Sequence, residues 1–407
     1  MFGGEMTETP NMPLQVPIAV VGGGLTGMAA ALAFGRAGMR VALIVKPGAP
    51  PPDLRTAALF PGSVQLLRNL NVWAGCEAEA TALAAIRIVD DTGWLLRAPE
   101  TLFRAADMGL PALAWNTANS AIGRALEAGV AGCPDILRIE TAATPGYSYA
   151  DGGVYIRLAE GQEIAARLVI AADGRESPLR AFAGITVERN EHDQTALVTT
   201  FAHSRPHLNI STEIHRQAGP LTTVPMPGNR SSLVWVERPR EVARLLALDD
   251  AAFTGELQQR LHGSLGQLSG LTPRMTFRLQ DMTTQAFARD RIALVGEAAH
   301  VLPPIGAQGL NLGLRDVADL AEAVLSAGDP GSADVLVAYD RVRRRDAAIR
   351  SRTVSALNTS LSSGALSLQL ARGLGLHTLN AIPALKRMVM QQGATGSAPL
   401  PRLMRTG

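Results

Sequence analysis

The chain has 407 residues, of which 47% are hydrophobic and 18% charged, a composition typical of an ordered globular protein with a large core. Its formal net charge of +2 gives no electrostatic argument for a nucleic acid partner. The two cysteines, Cys76 and Cys133, are too few for a disulfide framework or a zinc site, so a reducing, intracellular compartment is the default expectation.

The first predicted unit is strand, glycine turn, helix and strand. Residues 17–21 predict an apolar strand, a helix runs to about Ala37, and residues 40–45 predict the next strand. Residues 16–35 are uncharged over a length that could span a bilayer, but their glycines favour strand, turn and helix over a transmembrane segment. The turn has the pattern G-x-G-x-x-G, typical of a dinucleotide-binding loop. The candidate cofactor-binding residues of this turn are Gly22, Gly24, Leu25, Thr26 and Gly27.

The end of the second strand lacks an expected acid. A dinucleotide site usually carries Asp or Glu there to bind ribose hydroxyls, whereas this chain has Val45 followed by Lys46. A charged hydrogen bond contributes roughly 1.5–3 kcal/mol, so its absence is expected to weaken binding by roughly 10–100-fold. Lys46 is either a phosphate ligand or a solvated loop lysine.

Strands and helices alternate irregularly through the middle of the chain. Residues 86–90 and 94–97 predict a hairpin around Asp91-Thr92-Gly93, and a second hairpin is predicted around Asp151-Gly152. Residues 113–126 predict a strand that leads into a helix, and residues 168–171 a buried strand that ends in Asp173-Gly174. From residue 185 to 281, apolar runs such as 195–202 and 231–236 predict antiparallel strands, with a helix near 249–261. The three histidines there, His203, His207 and His215, have no metal-ligand spacing, so no metal site is predicted.

The most informative stretch is residues 291–319, RIALVGEAAHVLPPIGAQGLNLGLRDVAD. A buried strand at 292–295 is followed by Glu297, by a turn containing Pro304, and by Gly309, Leu310 and Asn311 at the start of a helix expected over 314–325. Glycines at a helix start let backbone N–H groups approach a negatively charged ligand. A tight strand-to-helix loop without a ligand is the alternative.

The C-terminal part combines charge and apolar runs. Residues 339–345, YDRVRRR, are interpreted as a solvated basic helix face. Residues 361–390 are apolar with few charges, a pattern that suits core packing, a partner subunit or a membrane surface. The chain from Ser397 onward is expected to be frayed.

Residues 296–317 resemble the second FAD motif of the flavin-dependent aromatic hydroxylases, in particular their ubiquinone-biosynthesis branch. That motif reads GDAAH-x-x-PP-x-GAQGLNLGLRDV, and this chain departs from it at Glu297. Three further segments resemble segments of the same family. They are the run that begins at Arg55, the D-G-x-x-S-x-x-R pattern of residues 173–180, and residues 383–390. The resemblance covers about residues 17–392.

The resemblance implies an α/β fold with a Rossmann-like, p-hydroxybenzoate hydroxylase-like FAD-binding domain, an inserted antiparallel β-sheet substrate domain and a C-terminal helical tail. The corresponding boundaries are residues 14–84, 103–184 and 286–345 for the FAD-binding domain, 85–102 and 185–285 for the substrate domain, and 346–392 for the tail. It further implies FAD contacts by Arg55, Asn119, Asp173, Gly174, Glu297, Gly309, Leu310 and Asn311 and by the family's acid position, here Val45, with Pro304 and Gly309 beside the flavin ring. Two of these residues have alternatives, since Arg55 suits a surface pair with Asp53 and Asn119 suits a helix N-cap.

The reaction implied is hydroxylation of the aromatic ring of a polyprenylated phenol in ubiquinone biosynthesis. FAD, O₂ and NAD(P)H or another electron donor take part, and oxygen is transferred through a flavin C4a-hydroperoxide. The expected partners are this hydrophobic substrate and, through the tail, a membrane surface or a biosynthetic complex; the expected location is the cytoplasm, with peripheral contact at the inner membrane. Because Val45 and Glu297 alter two acidic contacts, a flavin-poor homologue that scaffolds a biosynthetic complex is the main alternative. Hydroxylation of a small soluble phenol is the other.

Overall fold

A computed structural model of the protein describes residues 12–48, 53–93, 97–302, 308–362, 387–388 and 399–406. The helices are α1 (Leu25–Gly35), α2 (Pro61–Asn69), α3 (Asn119–Ala131), α4 (Pro178–Phe182), α5 (Pro239–Ala247), α6 (Asp250–Arg260), α7 (Gln308–Leu325) and α8 (Ala333–Ser362). The strands are β1 (Leu14–Val21), β2 (Val41–Val45), β3 (Thr56–Leu59), β4 (Thr81–Leu83), β5 (Ala85–Asp90), β6 (Thr101–Arg104), β7 (Ala114–Ala118), β8 (Ile136–Glu140), β9 (Gly146–Ala150), β10 (Gly153–Arg157), β11 (Glu163–Ala171), β12 (Val187–His203), β13 (Ile210–His215), β14 (Leu221–Met226), β15 (Arg230–Glu237), β16 (Leu268–Ser269), β17 (Met275–Thr284), β18 (Ala288–Arg289), β19 (Ile292–Leu294) and β20 (His300–Val301).

The first sheet has a parallel centre in the order β19-β11-β1-β2-β8, and β18, β10 and β9 add antiparallel strands. All five residues of β2 are buried, as expected of a strand covered on both faces. The register pairs Val21 with Ala171 and Ala171 with Leu294, so three strands end side by side. Loops that follow the carboxyl ends of neighbouring parallel strands meet at one edge, where open α/β sheets bind ligands.

The second sheet is mainly antiparallel, in the order β20-β17-β12-β15-β14-β13-β5-β6, with β16 paired to β12. One face is covered by α5 and α6, whose Leu245 and Phe253 pack into a core with Trp235 and Leu197. The other face carries a smaller apolar group around Ala196, Val234 and Leu279. A third, three-stranded sheet has the order β3-β7-β4. The architecture is the predicted α/β fold with an antiparallel sheet, and α5 is a helix that the apolar pattern did not predict.

The hairpin predicted around Asp91-Thr92-Gly93 has its second strand at a different position from the predicted one. The strand that pairs with β5 is β6, at residues 101–104, not residues 94–97, of which 94–96 lie outside the described residues. Asp90 explains the position of β6, because its carboxylate accepts the N–H groups of Thr92 at 3.1 Å and Ala98 at 2.8 Å and thereby joins the end of β5 to the segment just before β6. The second hairpin, around Asp151-Gly152, is confirmed by β9 and β10.

The expectation that the chain is frayed from Ser397 onward is wrong for its last described residues. Met404 is only 4% exposed, and Leu400 packs against Gly62 at the start of α2. Asn69 donates from its amide to the Leu403 carbonyl at 2.9 Å, so a side chain far away in sequence fixes the C-terminal segment. The apolar tail before it, residues 363–386 and 389–398, lies outside the described residues. Among the helices described, none combines the length and the apolar character needed to cross a bilayer.

Candidate functional site

Three loops meet at the carboxyl edge of the first sheet. They follow β1, β11 and β19, and backbone hydrogen bonds hold them together. Ala172 donates its N–H to Val21 at 2.8 Å, and Val295 donates to Ala171 at 2.9 Å. The glycine turn, the Asp173-Gly174 segment and the Glu297 turn, which are separate in the sequence, therefore form one site.

The glycine turn is shaped for close approach by a ligand. Gly22 has φ +122°, and a Cβ at Gly22 would overlap the Ala172 carbonyl; one at Gly27 would overlap the Gly22 carbonyl. Gly24 occupies the N-cap of α1, where no described side chain caps the helix and no described atom lies within 4 Å of a Cβ position. The N-cap of α1 therefore opens onto free space, as an anion site at a helix N-terminus requires.

Thr26 connects this turn to the third motif. A Cβ at Gly313 would lie 2.6 Å from Thr26 Oγ1, and one at Gly296 would lie 3.0 Å from it. The Thr26 side chain is thus wedged between α7 and the start of the Glu297 turn. Leu25, beside it, is half-buried at the first position of α1.

The end of β2 offers an apolar surface where an acid was expected. Val45 is 7% exposed, and its Cγ1 lies 2.7 Å from where a Gly23 Cβ would stand. Lys46 is exposed. On the neighbouring strand Thr141 donates its N–H to the Val45 carbonyl at 3.0 Å, while its own buried hydroxyl has no partner among the described residues.

Arg55 and Asn119 are joined by Asp53. Arg55 Nη2 and Asn119 Nδ2 donate to the same Asp53 oxygen at 2.8 and 2.9 Å. The Arg55–Asp53 pair, which was the alternative to a flavin contact for Arg55, is present. The N-cap alternative for Asn119 is wrong, since Ala118 occupies the cap. Burial acts to raise the pKa of Asp53, but its hydrogen bonds from Arg55 and Asn119 lower it below the usual value. Asn119 Oδ1 is buried and has no hydrogen-bond partner within the described chain.

Asp173 is half satisfied. Its Oδ2 accepts the Leu179 N–H at 3.2 Å, whereas Oδ1 is buried without a partner in the described ranges. Burial raises the pKa of Asp173 above its usual value, although a hydrogen bond from Ser177 opposes the shift. Gly174 has φ +90° with open space beside it. Arg180 is turned inward and donates to the Ala298 carbonyl at 2.9 Å, which ties this segment to the Glu297 turn.

Glu297 lies in a short 3₁₀ turn, Gly296–Ala298, directly after β19. Its side chain is 55% exposed, and its nearest cation is Arg175, with Nη2 and Oε2 3.8 Å apart. Arg175 also donates from Nε and Nη1 to the Gln280 side-chain oxygen when that amide is oriented to accept. The carboxylate is therefore held loosely and can turn toward a ligand.

The third motif enters its helix earlier than predicted. Helix α7 begins at Gln308 instead of Leu314, so Gly309, Leu310 and Asn311 lie in its first turn. The Asn311 amide is occupied by Phe60 N–H at 2.9 Å and the Ala58 carbonyl at 2.8 Å. It therefore fixes β3 and α2 against α7. Pro304 lies outside the described residues.

A cavity of about 190 Å³ separates this edge from the second sheet. Its floor includes Arg55 and Glu297, and its opposite wall is mainly apolar, with Phe277 5.1 Å from the Arg55 guanidinium carbon. Two hydroxyls of the lining, Thr56 Oγ1 and Ser232 Oγ, lie 2.9 Å apart. The remaining lining residues are Leu54, Arg175, Ala196, Val198, Thr199, Leu233, Val234, Arg278, Leu279, Gln280, Val301 and Leu302.

The sequence did not identify the wall of this cavity. Phe277, Ser232 and Val234 occupy alternating strand positions that also occur in any half-buried sheet, so periodicity predicts the strands and not the pocket. Arg175 stands one residue after Gly174, and its position in that motif was a usable signal.

Behind the site lies a fully buried ionic cluster. Arg343 is 0% exposed and pairs with Asp316 at 2.6 Å, Asp319 at 3.0 Å and Asp346 at 2.9 Å. The interpretation of residues 339–345 as a solvated face is therefore wrong for Arg343, because three carboxylates from α7 and α8 compensate the buried guanidinium. Burial acts to raise the pKa of Asp316, but the charges of His300 and Arg343 lower it.

The histidines of the second sheet have local partners. His203 bonds the Arg205 carbonyl at 2.7 Å, His207 the Gly228 carbonyl at 2.9 Å, and His215 the Glu213 carboxylate at 2.7 Å. In the described part of the chain, no group of three or more His, Cys, Asp or Glu residues is placed to hold a metal ion.

The residues at the sheet edge fit a dinucleotide. The uncapped α1 N-terminus with its open Gly24, the open Gly174 and the unpartnered Asn119 and Asp173 oxygens are features that a phosphorylated, hydroxyl-rich ligand satisfies. The missing acid at Val45 removes one contact and leaves these in place.

Comparison with known proteins gives one family model, described as FAD binding domain, which matches residues 15–351. A ubiquinone hydroxylase, UbiL, of Rhodospirillum rubrum is 34% identical over 403 residues and covers 95% of this chain and 92% of the relative. The 3-demethoxyubiquinol 3-hydroxylase of Escherichia coli is 29% identical and covers 94% of this chain and 98% of that relative. A solved structure of p-nitrophenol 4-monooxygenase PnpA from Pseudomonas putida has a TM-score of 0.77 at 19% identity and covers 95% of this chain and all of the other.

Proposed function

Because the chain belongs to the FAD-binding domain family of monooxygenases, we propose that it hydroxylates the aromatic ring of a polyprenylated phenol in ubiquinone biosynthesis, with FAD as cofactor. The observation that carries the proposal is the cavity, with one mainly apolar wall, placed directly beside the three loops at the sheet edge. Full-length similarity to hydroxylases named for ubiquinone and demethoxyubiquinol supports the substrate class.

We propose that the cofactor is held along the sheet edge. The first-turn N–H groups of α1, behind Gly22, Gly24 and Gly27, bind its phosphates, and Leu25 and Thr26 shape that turn. Val45 and Lys46 flank the ribose end, where the missing acid lowers affinity. The remaining contacts of this proposal are Arg55, Asn119, Asp173, Gly174, Glu297 and the first turn of α7 with Gly309, Leu310 and Asn311.

A bound FAD would supply the redox chemistry, with electrons from NAD(P)H, one oxygen atom of O₂ for the substrate and the other released as water. The chain positions the substrate ring, excludes water from one side of it and provides polar groups that bind its hydroxyl. Phe277 provides a flat apolar surface for the ring, and Val234 and Leu279 exclude water. The hydroxyl groups of Thr56 and Ser232 line the cavity, where they can accept a hydrogen bond from a ring hydroxyl or donate one to it. Such a bond fixes the orientation of the electron-rich ring.

The division of labour between the sheets is part of the same proposal. The first and third sheets belong to the cofactor domain of residues 14–84, 103–184 and 286–345. The second sheet belongs mostly to the substrate domain of residues 85–102 and 185–285, with β20 and the end of β6 added from the cofactor domain. Support comes from the cavity, whose apolar wall belongs to the second sheet.

We further propose that the tail at residues 346–392 contacts a membrane surface or a biosynthetic complex. Its support is the apolar composition of residues 361–390. Co-sedimentation with vesicles of zwitterionic and anionic lipid tests it, and a protein that stays in the supernatant with both would contradict the membrane contact.

The test of the reaction uses purified protein, FAD, NAD(P)H and heavy-isotope O₂. It compares a polyprenylated phenol with the same phenol lacking the chain. Incorporation of one labelled oxygen into the prenylated ring, in proportion to NAD(P)H consumed, is the expected result. Faster conversion of the short phenol would identify a small soluble phenol as the substrate instead. A protein that binds no FAD would favour the alternative of a non-catalytic scaffold.

A further inference from the structure

One buried carboxylate holds the turn that carries Glu297 at both of its ends. Asp316, in α7, is 0% exposed and accepts the Gly296 N–H at 2.8 Å through Oδ2. The same oxygen lies 2.7 Å from His300 Nε2. Gly296 immediately precedes Glu297, and His300 follows it by three residues. One oxygen atom of a helix therefore binds both ends of the turn, while Arg180 donates to the Ala298 carbonyl between them at 2.9 Å.

The other oxygen of Asp316 is fixed by α8. Arg343 Nε donates to Asp316 Oδ1 at 2.6 Å, and its Nη1 bonds Asp319 and Asp346. A buried ionic cluster gains little stability over apolar packing, because removing charges from water is costly. Its geometric effect is distinct, since a carboxylate locked by a guanidinium cannot rotate away from Gly296 and His300.

We propose that Asp316 is a positioning residue for the cofactor, which sets the Glu297 turn through Gly296 and His300 without touching the ligand. The inference rests on the proposed function, in which Glu297 contacts FAD. Asp316 is completely buried, so its influence on a bound molecule passes through the turn. An asparagine at this place has one acceptor oxygen and one donor nitrogen, so it cannot accept from Gly296, His300 and Arg343 together.

The test compares Asp316→Asn with Asp319→Asn. Asp319 lies on the same helix in the same cluster and pairs with Arg343 and Arg315, so its replacement removes an equivalent buried charge and leaves the turn contacts intact. Asp316→Asn is expected to raise the Kd for FAD by about 10-fold or more, the size of a lost charged hydrogen bond. Asp319→Asn is expected to change it by less than about 3-fold.

Flavin fluorescence titration gives the Kd, and the shape of the bound flavin's visible band reports a displaced turn independently of activity. If Asp316→Asn does not fold, His300→Gln tests the same turn while leaving the Asp316–Arg343 pair in place, with a weaker loss of FAD expected. Equal FAD losses in the Asp316 and Asp319 variants, or wild-type affinity in both Asp316→Asn and His300→Gln, would overturn the inference alone. A wild-type chain that binds no FAD would overturn the proposed function, and this inference with it.

Discussion

The carboxyl edge of the first sheet and the open face of the second sheet border the same cavity but are built in different ways. At the edge, backbone groups form the surface. Gly22 and Gly174 have positive φ, and α1 begins without a described side-chain cap. On the opposite face, side chains such as Phe277 and Ser232 form the surface. A backbone-built site leaves fixed glycine spacings in the sequence, whereas a side-chain-built wall looks like any apolar strand.

The largest expected effect is a loss of FAD affinity when a side chain is added at the sheet edge. Gly24→Val adds a side chain where no described atom lies within 4 Å and where φ is −73°, which valine accepts. We expect the protein to fold with a Tm within a few degrees of wild type, since replacing an N-cap glycine costs about 1 kcal/mol. FAD affinity should fall by at least about 100-fold, because the branched side chain occupies the phosphate approach.

Isothermal titration with FAD and a thermal melt separate these effects. Gly38→Val is a matched control, since Gly38 also has open space around it but lies after α1, away from the site; its φ of +80° makes the variant less stable without touching FAD affinity. Tight FAD binding by Gly24→Val would show that this edge is not the phosphate site.

A smaller effect is expected from the opposite wall. Phe277→Ala removes the flat surface beside Arg55 and enlarges the cavity. We expect kcat/KM for the aromatic substrate to fall by roughly 10–100-fold, mostly through KM, with unchanged FAD affinity. Steady-state kinetics beside a FAD titration provide the check. If FAD affinity falls and substrate KM does not, then the assignment of the two sides of the cavity is reversed.

The acids of the edge predict opposite effects of pH on stability. Burial raises the pKa of Asp173 in the folded protein, so its ionised form destabilises the cofactor-free protein as pH rises through that folded pKa. The pKa of Asp53 is lowered, so its stabilising contribution is present at neutral pH and is lost as pH falls through its folded value.

At neutral pH, Asp173→Asn should therefore raise the Tm of the cofactor-free protein and Asp53→Asn should lower it, each by about 1–3 °C. Both differences should shrink in acid, where the wild-type carboxyls are protonated. Melts at several pH values test this pair, and shifts of the same sign at neutral pH would contradict it.

The smallest effect concerns the buried cysteines, far from either side of the cavity. Burial, reinforced by the nearby Glu79 and Glu77, raises the pKa of the Cys76 thiol to about 11. At neutral pH almost all of this thiol is protonated, so alkylation should be slow until the chain unfolds. A thiol-reactive dye added before and after denaturant gives the ratio of the labelling rates of the folded and unfolded protein. Rapid labelling of Cys76 in the folded protein would contradict its burial.

The same contrast explains what the sequence could predict. Gly22, Gly27 and the Asp173-Gly174 pair were identifiable because few other residues satisfy their backbone geometry. The loop held by Asp90 and the docked C-terminal segment depend on contacts between distant residues, which local periodicity does not encode. Arg343 looked solvated because its neighbours in sequence are basic, while two of its three partners, Asp316 and Asp319, lie on another helix.

We expect the carboxyl edge of the first sheet to hold FAD although Val45 and Glu297 differ from the acids expected there. The most direct measurement is the visible spectrum of the purified protein after addition of FAD and removal of the unbound fraction. The expected result is that flavin bands are retained, that a reductant bleaches them and that air restores them. A colourless protein after exposure to saturating FAD would contradict it.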